Sequence, residues 1–342
     1  MLVSIIINNY NYERYVGTAI SSALAQTWHP LEVIVVDDGS SDDSWSVIQS
    51  FGDRIRAIRQ DNGGQGAAYN AGFAASRGDW VLFLDSDDAL DCGAVARMMA
   101  LAGPQVAKVH GCLRRVDADG RPIGGAVPYI THDGDVRVIV QRFCQYGSPP
   151  SSGNLFRRSA IAPYFPMHAP SWRRSADTVP ILLSTFHGDV ATVPGTIGCY
   201  RLHTAASRRT GLLGNKDRAF GPALAQTQRR RDLVAAWGTQ CTGIEWTQTP
   251  LMLPWDWRLR ALSWRLARSE HPYPRDTRRA IWRGLNDALA HWPGYTALER
   301  LAQRAWVAFV LGAPLSLVAA LAPSNLSGGL RRALKGVRKA YP

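Results

Sequence analysis

Residues 80–88 read Trp-Val-Leu-Phe-Leu-Asp-Ser-Asp-Asp, an apolar run that ends in a cluster of carboxylates. The apolar run predicts a buried strand, because a strand covered on both faces lacks polar alternation. Carboxylates that follow such a strand lie at the carboxyl edge of a sheet, where open α/β sheets bind their ligands. Close carboxylates repel one another unless a cation lies between them. The stretch therefore predicts an α/β sheet with a site for a hard divalent cation, Mg²⁺ or Mn²⁺, at its edge.

Strand-like and helix-like segments alternate in the residues before this stretch. Strands are predicted at residues 3–7, 31–36 and 54–58, and helices at residues 13–25, 44–51 and 66–76. Such alternation with short connections is typical of βαβ units. It predicts a mostly parallel sheet with helices on both faces.

Each predicted strand ends in polar residues, which a parallel sheet brings to one edge. After the first three strands these are Asn9, Tyr10 and Asn11, then Asp37 and Asp38, then Asn62, Gly63 and Gly64. A carboxylate there can accept hydrogen bonds from a nucleobase or a ribose, and glycines before a helix let the backbone approach a diphosphate. The sequence has no GxGxxG after its first strand and no GxxxxGK[ST], which disfavours a dinucleotide-binding protein and a P-loop ATPase.

The order of these motifs strongly resembles a family 2 glycosyltransferase of the GT-A fold. The matching motifs lie in residues 3–11, 33–42, 62–72 and 77–88, and a thinner resemblance continues to about residue 205. The resemblance implies a Rossmann-like GT-A domain. It also implies a metal-dependent, inverting transfer of a sugar from a nucleoside-diphosphate sugar to a hydroxyl of a glycan or a lipid-linked acceptor.

The resemblance also implies roles for single residues. Asp37 or Asp38 would bind the base, Asp85 would lie near the ribose and a metal-bound water, and Asp87 would hold the metal. Further candidates for the donor are Asn9, Tyr10, Asn11, Asn62, Gly63, Gly64, Asn70 and Arg201, with His203 as a metal ligand and with Trp172 and Asn154 on the acceptor side. Tyr69 departs from the family pattern, in which Arg is frequent at that position.

Inverting transfer needs a general base opposite the leaving group. The family places an acidic residue at the head of a helix well after the metal motif, and Asp177 fills that position, with Ala176 in place of the frequent Glu. Asp177 also suits an ordinary helix N-cap. Asp133, Asp135 and Asp189 are rival carboxylates, but their contexts are typical of solvated turns.

Composition divides the chain into two regions. Residues 1–200 carry a net charge of −3 and residues 201–342 carry +15, which gives the total of +12. We predict a nucleotide-sugar-binding catalytic domain over residues 1–215 and a basic, Trp-rich helical region over residues 216–342. The five cysteines are scattered and form no CxxC pair, which indicates reduced thiols and a cytoplasmic protein.

The basic region suggests an anionic partner. Amphipathic helical patterns near residues 255–268 and 330–341 are rich in arginine and suit an anionic membrane surface. Residues 306–322 carry no charge but are interrupted by Gly312 and Pro314, which predicts an interfacial or shallow re-entrant segment. The alternative is a helical cap with solvated arginines. We predict peripheral association with the inner face of the cell membrane, and no nucleic acid partner, because no known binding module is present.

Two other functions remain open at this point. A nucleotidyltransferase on a similar sheet would usually carry a Gly-rich, basic loop after the first strand, and residues 8–12 lack one. A non-catalytic scaffold that binds nucleotide sugars would not need the three carboxylates Asp85, Asp87 and Asp177 together.

Overall fold

The structure is a computed structural model that describes residues 1–202, 220–243 and 251–321. The described chain forms two compact units. The first contains residues 1–202 with 236–243, and the second contains residues 220–235 with 251–321. Residues 203–219 and 322–342, which include His203 and the predicted helix near 330–341, lie outside the described residues.

The strands of the first unit form one mixed sheet. Over the described residues they are β1 (Val3–Asn9), β2 (Leu31–Asp37), β3 (Arg56–Arg59), β4 (Trp80–Asp85), β5 (Ala89–Leu90), β6 (Val106–Val116), β7 (Pro122–Val127), β8 (Asn154–Arg157) and β9 (Asp189–Arg201). Their order is β3-β2-β1-β4-β8-β6-β9-β5, and β7 pairs with β6. The neighbours among β3, β2, β1 and β4 are parallel, as the alternating pattern predicts. The other half is mixed, since β8 is antiparallel to both β4 and β6.

Helices cover both faces of the parallel half. The helices of this unit are α1 (Glu13–Leu24), α2 (Ser44–Gln49), α3 (Gln65–Ala75), α4 (Ala94–Met99), α5 (Arg137–Phe143), α6 (Arg158–Ile161) and α7 (Thr178–Leu183). Buried residues of α1, α2 and α4 join one core with Val3, Ile5 and Ile7 of β1. On the opposite face α3 lies so close to β1 that Gly72 leaves no room for a Cβ beside Ile6.

The register of the parallel strands sets the position of the polar residues. Asn9 lies opposite Asp37 across β1 and β2, and Asn8 lies opposite Asp85 across β1 and β4. The three strands therefore end level with one another. Their polar ends share the carboxyl edge of the sheet, where α/β sheets form ligand sites.

The second unit is helical. It contains part of α8 (Phe220–Thr242), together with α9 (Pro254–Leu266), α10 (Arg278–His291), α11 (Ala297–Gly312) and α12 (Leu315–Leu321). Its core packs Leu262, Ile281 and Val307 from three of these helices against one another. None of the described helices is both long enough and apolar enough to cross a membrane.

The structure changes the interpretation of the predicted amphipathic helix near residues 255–268. Its apolar face is buried inside the second unit, where Ala261 and Leu262 belong to the core. Its arginines also contact that unit: Arg258 lies over the ring of Trp306, and Arg265 donates to the carbonyl of Val310. This helix therefore has no apolar face left for a membrane. The interruption predicted within residues 306–322 is present, since α11 ends at Gly312 and α12 begins at Leu315.

Candidate functional site

A cleft of about 550 Å³ lies at the carboxyl edge of the sheet. The residues after β1, β2 and β4 form its floor, and the residues before α7 form one wall. It is lined by Asn8, Asn9, Tyr10, Tyr12, Asp38, Asn62, Gly64, Gln65, Ala68, Asp85, Ser86, Asp87, Arg173, Arg174 and Ser175. Six of the predicted polar site residues thus meet in one cleft: Asn9, Tyr10, Asp38, Asn62, Asp85 and Asp87.

Asp37 and Asp38, the two alternatives for binding a base, have different surroundings. The Asp37 side chain is fully buried and accepts hydrogen bonds from Asn9 Nδ2 at 3.0 Å and from Ser40 Oγ at 2.5 Å. Arg59 Nε lies 3.5 Å from Oδ2 of Asp37. Asp37 therefore holds β1, β2 and the following turn together, and only Asp38 reaches the cleft.

Asp38 binds the backbone N–H groups of the turn that contains Gly63 and Gly64. Its carboxylate accepts hydrogen bonds from the backbone N–H groups of Gly63 at 2.9 Å and Gly64 at 2.7 Å, and from Gln60 Nε2 at 2.7 Å. The two glycine amides, which the sequence suggests for a diphosphate, thus already donate to a carboxylate of the protein. In this arrangement they are not available to a phosphate group.

The absence of side chains at Gly64 and Gly66 instead allows the segment of residues 172–176 to pack closely against the start of α3. A Cβ on Gly64, which has φ +86°, would lie 2.7 Å from Cα of Arg173. A Cβ on Gly66 would lie 2.9 Å from the carbonyl oxygen of Trp172. Gln65 N donates to the carbonyl of Arg173, and Gln65 Oε1 accepts from the N–H of Ala176. The start of α3 is therefore covered by protein backbone, and half-buried Trp172 is part of that contact.

The acidic cluster after β4 has one buried member and two members in the cleft. Asp88 is 1 % exposed and accepts hydrogen bonds from Ser152 Oγ at 2.6 Å and from the backbone N–H of Arg201 at 2.9 Å. Burial, followed by the charge of Asp87, raises the pKa of Asp88 to about 8. Burial and then the charges of Asp88, Asp87 and Asp177 raise the pKa of Asp85 well above its ordinary value. Without a cation these two carboxyl groups therefore favour their protonated, neutral form, and a bound cation would favour the ionised form instead.

This donor set fits a hard divalent cation in chemical terms. No group of three His, Cys, Asp or Glu side chains within residues 1–202, 220–243 and 251–321 is arranged to hold a metal ion. Asp85 and Asp87 nevertheless bring two carboxylates to the cleft, and their mutual repulsion is the condition that a cation relieves. Mg²⁺ is commonly held by one or two carboxylates together with substrate phosphates, so a complete protein cage is not required.

Asp177 lies at the N-cap position of α7 but makes no capping hydrogen bond with its side chain. Its charge raises the pKa of Asp85, which places it within electrostatic range of the acidic cluster. Asp177 itself is not among the residues that line the cleft, but it lies two residues after Ser175, which does line it. Asp133, Asp135 and Asp189 do not line the cleft either, and Asp135 forms an ion pair with Arg137 at 2.6 Å.

Several other predicted site residues are occupied by protein partners. Asn154 is fully buried and donates to the carbonyl of Pro150, while Asn70 both donates to and accepts from the backbone of Met167. Arg201 donates from Nε to the carbonyl of Asp87, and Asn11 accepts from Ser41 N. These four residues shape the loops around the cleft, and none of them lines it.

Sequence reasoning missed the two arginines of the cleft wall. Arg173 and Arg174 line the cleft, although the sequence analysis assigned no role to either. A signal was present, because a pair of basic residues stands just before the predicted base. It also missed Ser152 as the partner of Asp88, for which the sequence offers no local signal, since 64 positions separate the two residues.

Comparisons with known proteins identify relatives of this chain. The family model "Glycosyl transferase family 2" matches residues 4–165. An uncharacterized glycosyltransferase of Nostoc sp. is 38 % identical over 215 residues, which cover 60 % of this chain and 66 % of the relative. One from Rickettsia prowazekii is 46 % identical over 87 residues, 25 % of this chain and 27 % of the relative. The chain thus spans just under two thirds of the first relative and about a quarter of the second.

A solved structure shares the fold. The crystal structure of S. aureus TarS 1–349 in complex with UDP aligns over 91 % of this chain and 89 % of that chain, with a TM-score of 0.52 and 14 % identity. The mixed sheet with its flanking helices is therefore of the GT-A type. Together, the matched family model and the relatives show that residues 4–165 of this chain form a glycosyltransferase family 2 domain.

Proposed function

We propose that this protein transfers a sugar from a nucleoside-diphosphate sugar to a hydroxyl group, with inversion at the anomeric carbon. Its family membership supports the general reaction. The observation that carries the proposal is the meeting of Asp38, Asp85 and Asp87 in one cleft, with Asp177 close enough to raise the pKa of Asp85. This set contains the groups that the reaction needs: an acceptor for a base or ribose, a cation site and a general base.

The donor is proposed to lie along the edge of the sheet. Asp38 and Asn62 would contact the nucleoside, and Asp85 would lie near the ribose and the metal, which Asp87 would hold directly. Mg²⁺ or Mn²⁺, when bound, would supply positive charge that stabilises the departing nucleoside diphosphate. Such electrostatic stabilisation is often the largest single contribution to catalysis.

Asp177 is proposed to activate the acceptor. As the hydroxyl oxygen bonds to the anomeric carbon, its proton passes to the Asp177 carboxylate. The bond from that carbon to the diphosphate oxygen breaks, and the nucleoside diphosphate leaves with the electron pair. Attack from the face opposite the leaving group inverts the configuration. The effect of its charge on the pKa of Asp85 supports this role, because it places the Asp177 carboxylate within electrostatic range of the acidic cluster.

The acceptor is proposed to be a glycan or a lipid-linked molecule at a membrane surface. Leu298, Leu301 and Leu315 of the second unit are 50 %, 58 % and 53 % exposed. Residues 305–321 contain no charged side chain, and the sequence from residue 201 onward carries a net charge of +15. Exposed leucines within a basic region suit an anionic lipid surface.

The proposed reaction is tested by product analysis. The purified chain is incubated with a panel of labelled nucleoside-diphosphate sugars, with Mn²⁺ or with EDTA. Release of nucleoside diphosphate and free sugar in Mn²⁺, lost in Asp87→Ala and retained in the exposed-site control Asp53→Ala, is the expected result. Release of the sugar 1-phosphate would instead indicate nucleotidyl transfer, because attack at the α-phosphate leaves the second phosphate on the sugar. Tight nucleotide binding without turnover on any acceptor would indicate a scaffold.

A further inference from the structure

The carboxylates of the cleft would repel the anionic ligand that the cleft is proposed to bind. A nucleoside diphosphate is strongly anionic, yet Asp38, Asp85 and Asp87 all line the cleft. One divalent cation can offset only part of this charge. Among the described residues that line the cleft, the cationic side chains are Arg173 and Arg174.

Arg173 is already engaged in building the wall. Its Nη2 donates to Asn62 Oδ1 at 2.6 Å, and its carbonyl accepts from Gln65 N at 3.1 Å. Asn62 in turn donates from Nδ2 to the carbonyl of Asp38 at 3.0 Å. Arg173 therefore links the segment of residues 172–176 to the turns that follow β2 and β3.

Arg174 differs from its neighbour. Its side chain is exposed at the cleft, and within the described part of the chain it makes no hydrogen bond or ion pair. The backbone on either side is fixed, since Arg173 O and Ala176 N both hydrogen-bond to Gln65. The close approach of this segment to Gly64 and Gly66 holds it in place as well. Arg174 thus presents an uncommitted guanidinium from a well-held backbone.

We propose that Arg174 binds the diphosphate of the donor directly and sets the preference of the cleft for nucleoside diphosphates over monophosphates. This inference rests on the proposed function. A guanidinium matches the oxygens of a phosphate group with two parallel hydrogen bonds, which a lysine cannot reproduce. Because the glycine amides donate to Asp38, the positive contribution to diphosphate binding falls to the metal and to this arginine.

The same segment connects donor binding to the proposed base. Arg174 lies three residues before Asp177, with Ser175 in the left-handed region at φ +58° between them. A diphosphate held by Arg174 therefore restrains the backbone that leads directly into Asp177. Residues 174–177 would therefore both bind the donor, through Arg174, and position the proposed base, Asp177.

The test measures nucleotide affinity by calorimetry in Mn²⁺ and in EDTA. Uridine, guanosine, adenosine, cytidine and thymidine are each offered as mono- and diphosphates. For the base that binds, Arg174→Ala is expected to weaken diphosphate binding about tenfold or more, as loss of a charge-assisted hydrogen bond does. Monophosphate binding should change much less, and Arg174→Lys should fall between the wild type and Arg174→Ala.

The control is Arg142→Ala, which removes the same charge from an exposed position of α5 outside the cleft. It should leave both affinities unchanged. If Arg174→Ala left the ratio of diphosphate to monophosphate affinity unchanged, the inference would be overturned, while the proposed function would stand. A wild-type chain that binds none of these nucleotides would overturn both. An equal loss of both affinities would indicate a structural role for Arg174, against the inference.

Discussion

The side chain of Asp177 distinguishes a catalytic role from a structural one. A helix N-cap normally accepts a hydrogen bond from the first turn, and its loss costs about 1 kcal/mol. Asp177 holds the N-cap position of α7 without making that bond. Asp177→Asn keeps the size and shape of the side chain, so it is expected to leave stability and donor binding almost unchanged. Turnover should fall about 100- to 10,000-fold, the usual contribution of a general base.

This prediction is checked by separating binding from catalysis. Calorimetry gives the affinity for the donor nucleotide, and steady-state kinetics give kcat. Asp135→Asn, on an exposed carboxylate paired with Arg137, is a matched control that should retain kcat. A fully active Asp177→Asn variant would assign the base to another residue.

At single positions, the sequence predicts placement where the pattern is local, and both Asp85 and Asp87 line the cleft. Sequence reasoning identified the neighbouring carboxylates Asp85 and Asp87, because a strand followed by Asp-Ser-Asp is visible in the letters alone. It could not choose between Asp37 and Asp38, because the choice depends on Asn9 and Arg59, which reach Asp37 from other strands. Asn154 is a similar case, since its burial follows from strand pairing far along the chain.

Among the elements, the first half of the sheet was predictable and the second was not. β1 to β4 alternate with helices and pair in parallel, so local patterns and short connections suffice. The antiparallel strand β8 pairs with β4, 73–77 residues earlier, and with β6, 44–48 residues earlier, and no periodicity encodes either pairing. The contact between α3 and residues 172–176 is equally non-local, and for this reason the sequence alone predicts a ligand, not protein backbone, beside the glycines.

That contact gives an element-scale prediction for Gly66 in the first turn of α3. Replacing a helical glycine by alanine usually stabilises a protein by about 0.5–1 kcal/mol. At Gly66 a Cβ would lie 2.9 Å from both the carbonyl oxygen and the Cβ of Trp172, so the segment of residues 172–176 must move. Gly66→Ala is therefore expected to lower both Tm and turnover.

Gly93→Ala is the matched control, because a Cβ at Gly93 meets nothing within 4 Å. Thermal melting and donor turnover are measured on both variants. A Gly66→Ala protein that is as stable and as active as Gly93→Ala would contradict the tight contact between α3 and residues 172–176.

In the second unit, Asp256 of α9 links stability to pH. Burial raises its pKa to about 6, although Arg230 and Arg231 act in the opposite direction. An unfolded chain releases this proton near pH 3.9. Between these two values the folded state binds the extra proton, so its contribution to stability is fully present below about pH 4. That contribution is lost as the pH rises through about 6, a change of about 3 kcal/mol.

Asp256→Asn should remove this dependence. The free energy of unfolding in urea is measured for wild type and variant from pH 4 to pH 8. The variant is expected to gain stability relative to wild type as the pH rises. Asp287→Asn, on an exposed aspartate of α10, should show no such trend. A difference between wild type and Asp256→Asn that stays constant across this range would refute the assignment.

At the scale of the whole molecule, the separation of charge suggests where the protein works. The acidic cleft belongs to the first unit, while the net charge of +15 lies in the sequence from residue 201 onward. The apolar face of α9 is used internally, so a membrane contact must involve other residues. The exposed leucines at positions 298 and 301 of α11 and at positions 315 and 317 of α12 are the candidates.

The double variant Leu298→Glu/Leu301→Glu tests this surface in the full chain. Each leucine contributes about 1.5–3 kcal/mol when fully buried, and an added carboxylate is repelled by anionic lipid, so binding should fall at least about tenfold. Flotation with anionic phosphatidylglycerol vesicles measures the fraction of protein bound. The difference from neutral phosphatidylcholine vesicles gives the electrostatic contribution to binding. Leu101→Glu, on an exposed leucine of the first unit, is the control. If the wild-type protein bound neither kind of vesicle, these leucines would have no membrane role, because the protein must bind the lipid surface before it can reach an acceptor there.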